Sequence, residues 1–407
     1  MAQGADVGHT EPVRALVFER SELRYVAAAV TSRFSPGSGA AVGPLRLKDI
    51  DPPELPGDDW SVVYPRLTGI CGSDLATVEG KSSRYFESHV SFPFVPGHEV
   101  SGELADGRRV AIEPVLGAEA RGEDPPFPGA APGDGDDYGY LLSGPVEAGI
   151  QVGFCASTGG GWGTQLVAHA SQIHPVAADL DDDAAVMLEP AAGGVHAALR
   201  ANVEPGAVVA VLGAGTMGLV TIAALKRLTE AGTIVAAAKY PHQQALAADL
   251  GADVVVEPRE LKRAVRRIVG CRMVGDDLSG GADVTVDAVG SDVSITDSIS
   301  ITRPRGRVLL LGMPGVTKVD LTGLWHRETE LVGAYTYGTE TLADGSRRTS
   351  FDLAFDLVRD AGLDRLVSGH YPLGAYRDAL RHAAEAGQRG AVKVVFDLRE
   401  ERDRIPA

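Results

Sequence analysis

Val208-Val209-Ala210-Val211-Leu212-Gly213-Ala214-Gly215-Thr216-Met217-Gly218 is the stretch on which the fold turns. Five apolar residues, three of them β-branched, run without a polar break, the pattern of a strand buried on both faces. The run passes into Gly-X-Gly-X-X-Gly and then into a helical stretch from Leu219 to Leu228. In such a turn Gly213 permits the tight reversal, Gly215 lets backbone approach a pyrophosphate, and Gly218 lets helix pack closely on strand. Amides at the helix start, at Thr216 and Met217, would offer donors and positive potential to the phosphates. A lone glycine motif is weak. Its place between a buried strand and a helix makes it a dinucleotide signal.

The pattern repeats downstream. Ile234 to Ala238 reads as the next strand and Gln243 to Leu250 as the next helix. Ala282 to Val286 and Val308 to Leu311 follow with helical stretches between. Apolar strands alternating with helices describe βαβ crossovers and a parallel sheet. The cofactor's 2′ position is decided at the end of the second strand, where NAD sites place an acid. Here Ala238 ends the strand, Lys239 follows, and His242 lies near. A missing acid removes both the ribose hydroxyl's partner and the repulsion against a 2′-phosphate, and a lysine adds attraction. A surface lysine on a loop is the alternative. The reading favours NADP(H) over NAD(H).

Upstream of this region the texture is β-rich, with short apolar runs such as Ser61 to Tyr64 and Arg109 to Ile112. From Pro114 to Gly163 the composition shifts to Gly, Pro and acidic residues, which reads as an excursion rather than core. Asp181-Asp182-Asp183 reads as a solvated helix start, where negative charge suits the dipole.

A second signal precedes all of these: Cys71-Gly72-Ser73-Asp74 and Pro96-Gly97-His98-Glu99. A thiolate, an imidazole and carboxylates gathered by tight turns are the donors of a zinc site that keeps a fourth position open. Taken singly, each residue has an ordinary reading, as a core cysteine, a hydrogen-bonded histidine or a helix-end acid.

Together, Gly69-Ile70-Cys71-Gly72-Ser73-Asp74, Pro96-Gly97-His98-Glu99, Leu188-Glu189-Pro190 and Gly213-Ala214-Gly215 resemble the zinc-dependent alcohol dehydrogenases of the medium-chain dehydrogenase/reductase superfamily. The likeness spans residues 40 to 397, and Glu189-Pro190 is similar to the polyol, sorbitol-type branch. It implies an α/β chain with a GroES-like β-rich catalytic domain, split in sequence, around a Rossmann doubly wound domain. The expected segments are 12–190 (with an insertion at 117–161), 191–336 and a returning 337–407. Cys71 and His98 are implied as direct zinc ligands, with Glu99 or Glu189 as the third ligand or as the holder of a metal-bound water. Asp74 is implied to orient His98, and Ser73 to accept the hydroxylic proton. Lys393 sits where relatives place a cation near the cofactor pyrophosphate. The implied reaction moves a hydride between the nicotinamide and a secondary alcohol, polyol-like hydroxyl or carbonyl.

Two departures stand out. Relatives often pass the proton to a histidine two residues after the aspartate, where this chain has Ala76. Many hold a structural zinc with four close cysteines, but 117–161 contains only Cys155, so one catalytic zinc is expected. Reduction of an activated C=C or C=N bond is the enzymatic alternative, against which Ser73 tilts. A noncatalytic NADPH-binding protein is the other, against which the complete metal motif tilts.

The bulk properties agree with a globular enzyme. The 407 residues are 44% apolar and 23% charged, with a net charge of −17 that argues against nucleic acid. No apolar run is long enough to cross a bilayer, and Met1 to Thr10 reads as a lead-in rather than a secretory signal. Three scattered cysteines form no disulfide framework and suit a reducing cytoplasm. A homodimer or homotetramer acting on a small molecule, with no membrane partner, completes the expectation.

Overall fold

In the computed structural model, which describes residues 12–402, the run Val208–Leu212 lies inside a six-stranded sheet. The reading of Met1 to Thr10 falls outside the described residues. Across the sheet the strands are Val254–Val256, Thr233–Ala237, Val208–Leu212, Ala282–Asp287, Thr302–Leu310 and Glu330–Gly333, every neighbouring pair parallel. Counted along the chain this is the order 3-2-1-4-5-6 of a doubly wound sheet. Its switch point lies between the first and fourth strands, beyond their carboxyl ends, where Gly213 follows Leu212.

Helices cover the sheet because their apolar residues have nowhere else to go. Thr216–Leu228 buries Leu219, Val220, Ile222, Ala223, Ala224 and Leu225, and it packs on Leu188–Arg200. The latter is rich in alanine and glycine, so the two axes can approach closely. Truncating wholly buried Leu219 to alanine would cost about 2–5 kcal/mol. Pro241–Leu250 agrees with the helical stretch read from sequence at Gln243 to Leu250, and Ser350–Ala361 and Tyr376–Ala384 are further helices of the returning segment.

A second sheet carries the metal motifs. Its order is Val367–Tyr371, Lys393–Asp397, Trp60–Gly69, Val100–Leu104, Arg109–Ile112 and Ile173–Pro175, with Leu166–His169 also on Trp60–Gly69. Lys393–Asp397, from the far end of the chain, pairs antiparallel with Trp60–Gly69. With Val100–Leu104 on the other side of Trp60–Gly69, three distant segments lie side by side.

Three local features depart from the sequence reading. Helices Glu22–Ser32 and Gly39–Val42 stand between the paired strands Val13–Phe18 and Leu45–Ile50, where only β texture was read. Tyr25 anchors the first of them by donating to the Ser82 carbonyl at 3.2 Å. The insertion 117–161 is mostly turns, yet it is packed: Ala120, Val146, Val152 and Cys155 enter an apolar cluster with Val110 and Ile112. Its centre is Arg121, 1% exposed. Arg121 donates to the carbonyls of Ser143, Val146 and Glu147 at 3.1, 3.1 and 3.0 Å and to that of Gly149 at 2.6 Å.

The acidic run is not solvated throughout. Asp181 caps the helix Asp182–Val186 by accepting from Ala184 N at 2.7 Å. Asp182 is 8% exposed and takes Arg66, Arg109 and Arg399. Sequence proximity of three acids hid the long-range cations that bury the middle one. Among the described residues, no helix is long and apolar enough to cross a membrane.

Candidate metal and nucleotide site

Cys71 caps the short helix Gly72–Val78 at the end of the strand Trp60–Gly69. Asp74, in that helix's first turn, reaches back so that Oδ2 accepts from Cys71 N at 3.0 Å. His98 and Glu99 directly precede the strand Val100–Leu104, and Glu99 O accepts from Gly69 N at 2.9 Å. Strand pairing thus does the positioning. The Cys71 sulfur, a His98 ring nitrogen and a Glu99 carboxylate oxygen all lie within 4.8 Å of one another.

Two polar atoms beside this cluster lack hydrogen-bond partners although buried: Asp74 Oδ1 and His98 Nδ1. They face each other at 3.4 Å without the alignment of a hydrogen bond. Burial opposes an imidazolium at His98, but the Asp74 carboxylate and Cys71 outweigh it and hold the ring's pKa well above its ordinary value. A wholly buried aspartate aimed at an imidazole in this way orients a ligand and raises its basicity. Sulfur, nitrogen and oxygen donors in reach of one point suit zinc with three protein ligands.

The two carboxylate candidates separate in space. Glu99 belongs to the three-donor group, but both its oxygens also accept from Lys393, at 2.6 and 2.7 Å. Glu189, in the first turn of Leu188–Arg200, is outside that group and accepts the Tyr337 hydroxyl at 2.6 Å. Burial raises its carboxyl to about 7, with His98 opposing and Glu99 adding. Glu189 therefore looks onto the same charges without joining the cluster.

Lys393 is not placed as its sequence reading suggests. Its partners are Glu99 and the Ile70 carbonyl, the latter at 3.5 Å, so its ammonium is committed to Glu99 rather than standing free for a pyrophosphate. Ser73 shares the helical turn of Cys71 and Asp74 and is half-buried. Tyr337 was not singled out from sequence at all. Its partner lies 148 residues away, so no local signal marks it.

The nucleotide turn has the required shape. Gly213 holds a left-handed φ of +95°, and a Cβ on Gly218 would stand 2.0 Å from the Gly213 carbonyl oxygen. A Cβ on Gly215 would meet nothing within 4 Å, which leaves open space in front of the amides of Thr216 and Met217. At the second strand's end Ala238 is buried and Lys239 exposed, its ammonium 5.4 Å from the Tyr240 ring centre. His242 is turned away: its Nε2 donates to the Ala391 carbonyl at 3.2 Å. A further acid holds the fourth strand's turn, Asp287, whose Oδ1 accepts from Val289 N and Gly290 N at 2.8 and 3.0 Å.

Comparison with known proteins follows this geometry. Residues 57–178 match the alcohol dehydrogenase GroES-like domain, and residues 216–350 match the zinc-binding dehydrogenase model. Human sorbitol dehydrogenase is 28% identical over 314 residues, covering 72% of this chain and 79% of that protein. L-idonate 5-dehydrogenase of Vitis vinifera is 28% identical over 353 residues, covering 82% and 86%. The crystal structure of 2R,3R-butanediol dehydrogenase from Bacillus subtilis superposes with a TM-score of 0.68 at 20% identity, covering 95% of this chain and 99% of that one.

Proposed function

The chain belongs to the zinc-dependent alcohol dehydrogenases of the medium-chain dehydrogenase/reductase superfamily, and from that premise we propose that it interconverts a secondary, polyol-like hydroxyl and its carbonyl with NADP(H) and a single zinc per chain. The observation that carries this is the Cys71, His98 and Glu99 donor group, with the carboxylate of Asp74 aimed at the imidazole. When bound, zinc supplies Lewis acidity at the reacting carbon–oxygen bond and the nicotinamide takes up or delivers the hydride.

This chain's own residues do the rest. Asp74 orients His98 and, through Cys71 N, the start of the cysteine's helix. Lys393 fixes Glu99 and balances its charge. Ser73, on the turn of Cys71, receives the hydroxylic proton. Ala76 offers no onward acceptor, so release from Ser73 would depend on solvent and on the ribose hydroxyl that a bound nicotinamide cofactor would supply. Glu189, held by Tyr337, presents a carboxylate to the reacting centre.

Buried Ala238 beside exposed Lys239 supports NADP(H), because nothing acidic stands at the strand end to repel a 2′-phosphate. The absence of a cysteine quartet in 117–161 supports a single zinc. The same proposal includes a homodimer or homotetramer in the cytoplasm, a reducing setting that suits the three unpaired cysteines.

The test is a cofactor-reduction screen of purified protein against alcohols, polyols, sugars and amino alcohols, before and after chelation. Turnover that vanishes with the metal and returns with added zinc supports the reading. Turnover indifferent to chelation, or none across the panel with either cofactor, would overturn it.

A further inference from the structure

The insertion 117–161 reaches the metal region through residues 336–339. Asp134 of the insertion accepts from Thr339 N at 3.0 and 3.2 Å, from Thr339 Oγ1 at 2.6 Å and from Ala131 N at 2.8 Å. Gly133 lies so close to this segment that a Cβ would stand 2.1 Å from the Tyr337 carbonyl oxygen. Between these contacts Thr336 has φ 53°, a β-branched residue in the left-handed region. Such a conformation persists only where its surroundings impose it, and it collects at functional sites.

What the turn aims is Tyr337. Its side chain is 2% exposed, and its hydroxyl donates to Glu189 Oε1 at 2.6 Å. Its ring stands edge-on to Phe351, with centres 5.0 Å apart and planes at 88°. Phe351 is wholly buried and stacks on His174 at 4.7 Å, and His174 Nε2 meets Glu113 Oε2 at 2.8 Å. The tyrosine cannot swing away without disturbing that stack.

We propose that Tyr337 is a positioning residue for Glu189, and that the insertion, seated through Asp134, maintains the Thr336 turn that aims it. A hydroxyl on one carboxylate oxygen fixes the side chain's rotation and leaves the second oxygen to face the reacting centre. The lobe without a cysteine quartet is thereby tied to the chemistry by hydrogen bonds. This rests on the reading of Cys71, His98 and Glu99 as a metal site.

The experiment uses the full chain with zinc, and in parallel with cobalt(II) in its place. Tyr337→Phe should lower kcat about 10- to 100-fold with little change in KM or metal content, at a modest cost in thermal stability because a buried carboxyl loses its donor, and should shift the cobalt absorption bands. Asp134→Ala should lower kcat as well, and the double variant should be no slower than Tyr337→Phe alone, because both act through one contact. If Asp134→Ala does not fold, Asp134→Asn takes its place in the cycle. A Tyr337→Phe enzyme with wild-type kcat and an unshifted cobalt spectrum overturns the proposal, as do effects that multiply in the double variant. A wild-type enzyme without zinc-dependent turnover removes the metal-site reading, and the proposal with it.

Discussion

The Lys393 ammonium meets both oxygens of Glu99, at 2.6 and 2.7 Å, with the two side chains 3% and 1% exposed. Burial alone would lower the ammonium's pKa, but Glu99 and Cys71 outweigh it and raise the pKa above its ordinary value. The ammonium therefore keeps its charge beside Glu99. Removing the cation leaves a buried carboxylate with no counter-charge, the costly case for an internal ion pair. Lys393→Met should destabilise the metal-free protein by about 3–5 kcal/mol in denaturant unfolding. Glu99→Gln in the same chain should restore most of that loss. An unaltered midpoint for Lys393→Met would show that Glu99 does not depend on it.

The nucleotide half of the molecule was legible because its signals are local: a buried run, a glycine turn and a helix follow one another from Val208 to Leu228. The metal motifs were legible for a similar reason, each set by one turn. Beyond them, sequence reading stopped where a partner comes from a distant strand. Lys393 was read toward a phosphate from the family resemblance alone, since its neighbour Glu99 is supplied by strand pairing across the whole chain and leaves no local signal. Tyr337 carries no motif, and Asp182 looked like one of three surface acids. Arg121 is an arginine in a polar, glycine-rich loop, and only the folded lobe shows four carbonyls closing around it.

Asp182 makes acid stability testable. Burial alone would raise its pKa, yet hydrogen bonds and charge from Arg66, with Arg109 and Arg399, overcome this and hold it below the usual aspartate value. A carboxyl lowered in the folded state stabilises fully above its unfolded pKa, about 3.9. That stability is lost as pH falls through the lower folded value. Asp182→Asn should cost about 3 kcal/mol at neutral pH, since three arginines lose their shared partner. It should also flatten the decline of unfolding free energy below about pH 4. An equally steep acid limb in the variant would assign the decline to other carboxyls.

Cofactor choice is testable at one exposed position. Lys239 stands just beyond buried Ala238, and its ammonium rests near the Tyr240 ring, with no ion pair among the described residues to hold it elsewhere. A charge-assisted contact of about 1.5–3 kcal/mol corresponds to roughly 10- to 100-fold in preference. Lys239→Asp should lower the ratio of kcat/KM for NADP(H) over NAD(H) by at least that factor, since it adds repulsion where attraction stood. A wild-type preference for NAD(H) would overturn the assignment.

The insertion can be tested separately from the chemistry. Arg121 donates to four carbonyls from a buried position, and burial pushes its own pKa down without removing its charge. Four acceptors left without their donor would each want water that the packed lobe does not admit. Arg121→Met should therefore destabilise the protein by about 3 kcal/mol or more and open 117–161 to proteolysis before the rest of the chain. Metal content should stay at one zinc per chain in both proteins, measured by atomic absorption after exhaustive dialysis. A wild-type content of two, unchanged in Arg121→Met, would mean that the lobe holds a metal of its own and that the guanidinium is not what closes it.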